Sequence, residues 1–140
     1  MSVEQNKATI RRVVEEVFNK RNMSVIPELI APGYVYRSPM GIDFKGPAGF
    51  AQFVGMMHSA FPDLHMAVDD MFGDGEKLAA RLSMRGTFTG DLGPMKATGK
   101  KFNQPFAFFY RFEGGKELEA VEYGDMLSFY QQMGVKPPGW

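Results

Sequence analysis

The chain has 140 residues, of which sixteen are basic and sixteen acidic, and it contains no cysteine. Balanced charge provides no electrostatic surface for nucleic acid or an anionic membrane, no apolar run is long enough to span a bilayer, and the absence of cysteine excludes disulfides and thiolate sites. We therefore expect a single domain over residues 1–140 with one core and, as there is no apolar signal segment, a cytoplasmic location.

The N-terminal half is predicted to be mainly helical. Ser2 and Gln5 have the spacing of a capping box, and apolar residues recur at helical intervals over 10–18. Proline and glycine then mark the ends of further elements. In chain order these are a helix to about Arg21, a helix from about Ser24 to before Pro32, a strand over 34–38, and a helix that Pro47 opens and residues 61–63 end.

The C-terminal half changes to the alternating pattern of β-strands. The predicted strands cover 64–72, 77–89, 101–112 and the segment from Lys116, with a loop over 90–100, and a final helix covers 126–133. Pro105 favours an edge position or a bulge in its strand. Helices segregated from consecutive strands predict an α+β fold, and a long curled sheet with helices on its concave side leaves a pocket.

The aromatic and sulfur-containing residues suggest what lines this pocket. Thirteen Phe and eleven Met can either fill a soft core or line a cavity for a lipophilic ligand. The side chains of the third helix and of the late strands are the candidates. The predicted substrate-binding residues are Phe53, Met57, Phe88, Phe106, Phe108 and Tyr123.

Metal and nucleotide sites are not predicted. His58 and His65 are the only histidines and lack metal-ligand spacing, so both are interpreted first as boundary or surface residues. The glycine-rich segments 86–93 and 113–115 do not lead from a strand into a helix, as a phosphate site requires.

The segment KELEAVEYGDML, residues 116–127, carries four acids. Regular alternation places Glu119 and Asp125 on one face of the strand and Glu122 on the other, while Glu117 beside the glycine turn is expected to be solvated. Glu119 and Asp125 would stand about 20 Å apart, too far for a glycosidase pair.

Asp125 has two interpretations. It immediately precedes the helix predicted over 126–133, which Gly134 would end, and aspartate is among the best N-cap residues. A carboxylate in an apolar pocket would instead have a raised pKa and could act as a general base. Periodicity alone favours the cap.

Several motifs in a fixed order resemble a known family. They are AFPDLH, MRGTFTGDLGPMKATGKKF, FYRFEGGKELE, and D-x-L followed by QQMG. With these, the chain resembles the SnoaL-like polyketide cyclases (ester cyclases) of the nuclear transport factor 2-like superfamily. The resemblance implies a cystatin-like fold, a curled mixed β-sheet wrapped around N-terminal helices with a cone-shaped pocket, usually in dimers or higher oligomers.

The resemblance also implies a chemistry. Cyclases of this type close a ring of an aromatic polyketide ester by intramolecular aldol condensation, with no metal and no cofactor. Asp125 matches the family's acid/base aspartate by its place before the QQMG segment. Glu119, His58 and Tyr123 are the next candidate polar groups of the pocket.

The chain departs from the family at two motifs. Relatives often carry histidine where this chain has Phe88, and the residues EHW where it has EAV at 119–121. No histidine follows His65, so another polar group would have to replace a late histidine. The candidates are Arg37, Arg81, Arg85, Arg111, Gln104 and Tyr123.

The leading hypothesis is a cofactor-independent cyclase or isomerase acting on a small lipophilic carbonyl or ester compound through a pocket carboxylate. The alternative is a non-catalytic protein that binds a lipophilic ligand, with Asp125 only capping its helix. A weaker alternative is a structural dimerisation module. The expected partners are a small lipophilic molecule and a second copy of the chain, without nucleic acid or membrane.

Overall fold

A computed structural model describes residues 2–140. The helices are α1 (Val3–Arg12), which continues as a π-helical segment (Val13–Asn19), then a 3₁₀ turn (Met23–Val25), α2 (Ile26–Leu29), α3 (Gly46–Ala60) and α4 (Met126–Met133). The strands are β1 (Ile30–Arg37), β2 (Asp43–Lys45), β3 (His65–Asp74), β4 (Lys77–Thr87), β5 (Lys101–Glu113) and β6 (Lys116–Tyr123). Across residues 2–140 no helix has both the length and the apolar character needed to cross a membrane.

All six strands form one curled sheet in the order β2-β1-β6-β5-β4-β3. Only β1 and β6 pair in parallel; the other neighbours are antiparallel. The predicted α+β fold, a mixed sheet wrapped around N-terminal helices, is therefore confirmed.

The start of β1 differs from the prediction. The second helix was expected to reach almost to Pro32, but α2 ends at Leu29 and β1 begins at Ile30, where the chain pairs with Glu117 of β6. This pairing extends the strand predicted over 34–38 towards the N-terminus. The hairpin partner β2 is only three residues long, too short for an alternating pattern to show.

The first helix begins with the predicted capping box. The hydroxyl oxygen of Ser2 accepts from the Gln5 backbone N–H at 3.1 Å, and the Gln5 side chain accepts from the Ser2 N–H at 2.9 Å. Ile10 and Val17 are fully buried against the sheet. The helix thus covers the concave face, which positions the site below it.

Strand β5 shows the alternation most clearly. Its even-numbered residues, from Phe102 to Phe112, are buried and its odd-numbered residues are exposed. Pro105 is tolerated in this central strand because β6 ends at Tyr123, opposite Ala107, so β5 is locally an edge at Pro105.

A bulge interrupts the alternation of β6. Arg111 of β5 pairs with Glu119, but the next residue, Phe112, pairs with Glu117, so Leu118 is an extra residue in β6. Such a bulge reverses the direction of the side chains beyond it. Glu117 therefore points to the concave face, as Ala120 and Glu122 do, and the expectation that Glu117 is solvated is wrong.

Candidate functional site

Two adjoining cavities lie between the helices and the concave face of the sheet. The inner cavity runs under the π-helical segment and α3 to Glu117, and the outer cavity extends towards α4 and residues 39–40. Each offers about 30 Å³ to the centre of a water molecule, which is room for about two waters. The residues common to both linings are Tyr36, Phe53, Met57, Met84 and Glu122.

Glu122 is the polar group at the junction of the two cavities. It lies on β6 opposite Phe108, is only 5% exposed, and its Oε1 accepts a hydrogen bond from the Tyr36 hydroxyl. Burial raises the pKa of its carboxyl from the ordinary 4.5 to about 7, although the hydrogen bond from Tyr36 opposes that rise. A carboxyl with this pKa can both accept and return a proton near neutral pH.

Glu117 is a second buried carboxyl, at the inner end. It is 1% exposed, and its Oε2 has no hydrogen-bond partner among the described residues. Burial alone raises the pKa of its carboxyl from 4.5 to about 8. Tyr34 and Tyr110 line the same cavity, and burial first, then the nearby Glu117, raises the pKa of each hydroxyl well above its ordinary value.

Metal ligands do not gather here or elsewhere in residues 2–140: no three His, Cys, Asp or Glu side chains come together. Four β5 positions separate the ladder partners of Glu117 and Glu122, which is about 13 Å along the strand. The two carboxyls are therefore too far apart to act on one substrate atom, and their roles are considered separately.

Sequence and structure comparisons agree with this fold. The profile of the family described as SnoaL-like polyketide cyclase matches residues 8–133. The chain belongs to this family. A curated relative, aklanonic acid methyl ester cyclase DnrD of Streptomyces peucetius, is 29% identical, with 94% of each chain covered.

Solved structures of SnoaL-like and related proteins are also similar. TsrD from Streptomyces laurentii has a TM-score of 0.85 at 20% identity and covers 97% of this chain and 99% of its own. IdmH from Streptomyces antibioticus, a candidate polyketide cyclase, has a TM-score of 0.78 at 26% identity and covers 94% of this chain and 99% of its own. These likenesses support the fold and a cyclase-like function at the level of the family.

Asp125, the acid/base residue expected from the family resemblance, lines neither cavity. Its Oδ1 accepts from the backbone N–H of Ser128 at 3.0 Å, and the residue is exposed at the N-terminus of α4. Of the two interpretations, the N-cap is the one confirmed. The expected place of Asp125 in the pocket is wrong, because the carboxylate turns back to its own helix.

Glu119 and Tyr123 lie on the outer face of the sheet. Glu119 is 3.5 Å from the guanidinium of Arg37, and the Tyr123 ring packs edge-on against Phe109. Neither residue lies in the pocket, contrary to the expectation from the sequence. In β6 beyond the bulge, side chains alternate, so that Glu122 points inward while Glu119 and Tyr123 point outward.

His58 lies at the back of α3, outside both linings. Its Nε2 is 2.8 Å from the carbonyl oxygen of Phe18, and the ring packs edge-on against the ring of Phe18. Burial lowers the pKa of His58 despite that hydrogen bond. Because a carbonyl only accepts, Nε2 carries the hydrogen, and this hydrogen bond links α3 to the π-helical segment.

Four of the five apolar residues predicted to bind the substrate line a cavity. Phe53 and Met57 line both cavities, Phe108 lines the inner cavity and Phe106 the outer one. Phe88 lines neither, because it is fully buried against Phe61 just beyond β4. It belongs to the packed core that supports the outer cavity.

Three polar residues of the site were missed: Tyr36, Glu117 and Glu122. Glu122 carried a usable signal, since regular alternation already placed it on the strand face opposite Glu119. Tyr36 carried a weaker one, as the aromatic residue two positions after Tyr34 in a predicted strand. Nothing in the sequence indicated Glu117, because the direction of its side chain depends on the bulge.

Proposed function

We propose that this protein is a cofactor-independent, aldol-type polyketide cyclase-like enzyme in which Glu122 is the general acid/base. The observation that carries the proposal is the position of Glu122: a buried carboxyl at the junction of two apolar cavities, hydrogen-bonded by Tyr36. This assignment replaces Asp125 as the catalytic carboxylate.

The chemistry requires one proton to leave carbon and one to return to oxygen. The Glu122 carboxylate takes a proton from a carbon adjacent to a carbonyl, which leaves an enolate. The enolate carbon then bonds to a second carbonyl carbon of the same molecule and closes the ring. The resulting alkoxide takes the proton back from Glu122, so the product is an isomer of the substrate. Tyr36 holds the carboxyl in place through its hydroxyl donor.

The substrate class follows from the lining and from the relatives. The walls are formed by Phe, Met and Tyr side chains, and the curated relatives are aklanonic acid methyl ester cyclases. We therefore propose a lipophilic polyketide ester or a similar carbonyl compound. A molecule of that size fits only when flexible walls move, and the unbranched side chains of Met57 and Met84, common to both cavities, can change rotamer readily.

The first test is turnover of aklanonic acid methyl ester by the wild-type protein across pH 5–9. The base must be ionised and burial raises the pKa of Glu122 to about 7, so kcat/KM should increase with pH through about pH 7. Product formation at the uncatalysed rate, together with measurable binding of the ester, would instead support the alternative of a non-catalytic lipophile-binding protein.

We further propose that a second copy of the chain packs on the outer face of the sheet. Phe72, Ala79, Phe109 and Val121 form one cross-strand row there. Phe72, Phe109 and neighbouring Tyr123 are 66%, 53% and 60% exposed. Charges of both signs flank the row, which allows opposite charges to meet across a two-fold axis. The flanking charged residues are Asp74, Lys77, Arg111 and Glu119.

The Phe109→Lys variant is therefore expected to shift the protein from dimer to monomer, since it brings two like charges into the centre of the apolar row. Light scattering coupled to size-exclusion chromatography measures the mass directly. Leu127→Lys, at an exposed apolar position of α4, is the matched control and should remain dimeric. A monomeric wild-type protein at high concentration would contradict the proposal.

A further inference from the structure

Glu117 takes no part in the proposed proton transfer. About 13 Å of strand separates its ladder position from that of Glu122, so it cannot reach the proton that Glu122 moves. It lies at the far end of the inner cavity, next to the turn between β5 and β6. Glutamate is rarely fully buried unless it is paired.

The surroundings of Glu117 determine its chemical state. From the helices, the inner cavity receives only apolar side chains, among them Val13, Val14 and Phe50. The titratable groups that line the cavity with it are Tyr34 and Tyr36 of β1, Tyr110 of β5 and Glu122 of β6, and no Lys, Arg or His is part of this lining. Because the lining holds no cation and none of its tyrosine hydroxyls bonds Glu117, burial keeps Glu117 as the neutral acid at pH 7.

A neutral carboxyl group has an O–H that can donate. Buried polar groups nearly always have a hydrogen-bond partner, yet Oε2 of Glu117 has none among residues 2–140. The helical side of the lining is apolar, and on the strand side the hydroxyls of Tyr34 and Tyr110 make no hydrogen bond with Glu117. A molecule bound in the cavity can therefore supply the acceptor.

We propose that Glu117 is a substrate-binding residue whose carboxylic acid group donates a hydrogen bond to an oxygen atom at the inner end of the substrate. This inference rests on the proposed function and narrows its substrate class. The substrate is an elongated apolar molecule with a carbonyl or phenol oxygen at the end that enters first. The ladder positions of Glu117 and Glu122 are about 13 Å apart along the strand, so that oxygen and the carbon that Glu122 deprotonates lie at opposite ends of the substrate.

Such a contact selects between molecules of the same shape. A site built around a buried donor discriminates against an analogue that lacks the acceptor, because the donor then remains unpaired. Two matched probes differ in this respect: 2-acetylnaphthalene has a terminal carbonyl oxygen, and 2-ethylnaphthalene replaces it with hydrogens. The ratio of their dissociation constants reports the oxygen contact without any catalytic step.

We expect the preference of the wild-type protein for 2-acetylnaphthalene at pH 6.5 to fall about tenfold in Glu117→Leu, which removes the donor. Glu117→Gln should keep the preference within about threefold, because its amide also donates. Titration calorimetry or quenching of intrinsic fluorescence measures both constants.

The pH dependence separates a binding role from a merely structural one. Since burial raises the pKa of Glu117 to about 8, raising the pH to 9.5 ionises the carboxyl, and the wild-type preference should disappear. It should persist in Glu117→Gln, which cannot ionise, and this comparison stands even if Glu117→Leu does not fold. Glu113→Gln, at the exposed end of β5, should behave as the wild type does.

Equal ratios in the wild type and Glu117→Leu, or the same loss at pH 9.5 in Glu117→Gln, would overturn the inference. These outcomes are independent of turnover. A protein with the expected probe ratios but no cyclase activity would refute the proposed function alone, and an active cyclase with unchanged ratios would refute the role of Glu117 alone.

Discussion

The Glu122→Gln variant is expected to lose about 10²–10⁴-fold in kcat for cyclisation. Glutamine keeps the length and shape of the side chain, and its amide oxygen can still accept from the hydroxyl of Tyr36, the partner of Glu122 in the wild type. It cannot take a proton from carbon. The loss should therefore fall on kcat, while KM changes by no more than a few fold, because the cavity walls are unchanged.

Asp125→Asn is the control for this experiment. Asparagine caps a helix about as well as aspartate, so the hydrogen bond to the Ser128 N–H is kept. The structure places this side chain at the surface, and kcat should stay within about twofold of the wild type. If Glu122→Gln is active and Asp125→Asn is inactive, the acid/base role belongs to Asp125 instead.

Wild-type and variant pH profiles add a second criterion. If Glu122 is the base, the increase of kcat/KM up to about pH 7 belongs to its carboxyl, whose pKa is raised to that value by burial. Any residual activity of Glu122→Gln should then lack this increase. If kcat/KM of Glu122→Gln still increases with pH in this range, another group is responsible for the increase, and that group is the base.

Asp125 shows why sequence alone could not separate a cap from a catalyst. Both interpretations need an acid at the same position before the same helix, and they differ only in which way the carboxylate turns. That direction depends on how α4 packs: Phe129 and Tyr130 are buried, and this leaves the N-terminus of the helix at the surface. Packing of this kind is a tertiary property that local spacing does not contain.

The strands illustrate what periodicity can and cannot predict. In β5 a strict alternation of buried and exposed residues matches the pattern of Phe and Tyr, so its inner face was predictable residue by residue. In β6 the same rule correctly separates Glu119 from Glu122 and fails at Glu117. One extra residue, Leu118, reverses the parity, and nothing in KELEAV marks where that residue is inserted.

The second large effect is expected in the pH dependence of stability. Burial raises the pKa of Glu117 from 4.5 to about 8 and that of Glu122 from 4.5 to about 7. Between the unfolded and folded values the native state binds more protons than the unfolded state, so the free energy of unfolding falls as pH rises. The loss is complete only above the folded pKa, at about pH 8 for Glu117.

The magnitude follows from the same values, since one pKa unit corresponds to about 1.4 kcal/mol. Glu117 should lower the free energy of unfolding by on the order of 5 kcal/mol between pH 4 and pH 9, and Glu122 by on the order of 3 kcal/mol. These are large fractions of the 5–15 kcal/mol typical of a domain. A buried carboxyl pair that weakens the fold above neutral pH is consistent with groups retained for function.

The free energy of unfolding of Glu117→Gln should therefore depend much less on pH than that of the wild type. Urea titration followed by circular dichroism at pH 5 and pH 9 measures it. An unpaired buried amide lowers stability by about 1–3 kcal/mol at every pH, so the difference between the two pH values isolates the carboxyl. Contributions from other titrating groups, such as His58, are common to both proteins and cancel in the comparison. Glu113→Gln, at the exposed end of β5, should keep the wild-type slope. If Glu117→Gln keeps it too, Glu117 is not a neutral buried acid, and its assignment as a hydrogen-bond donor fails with it.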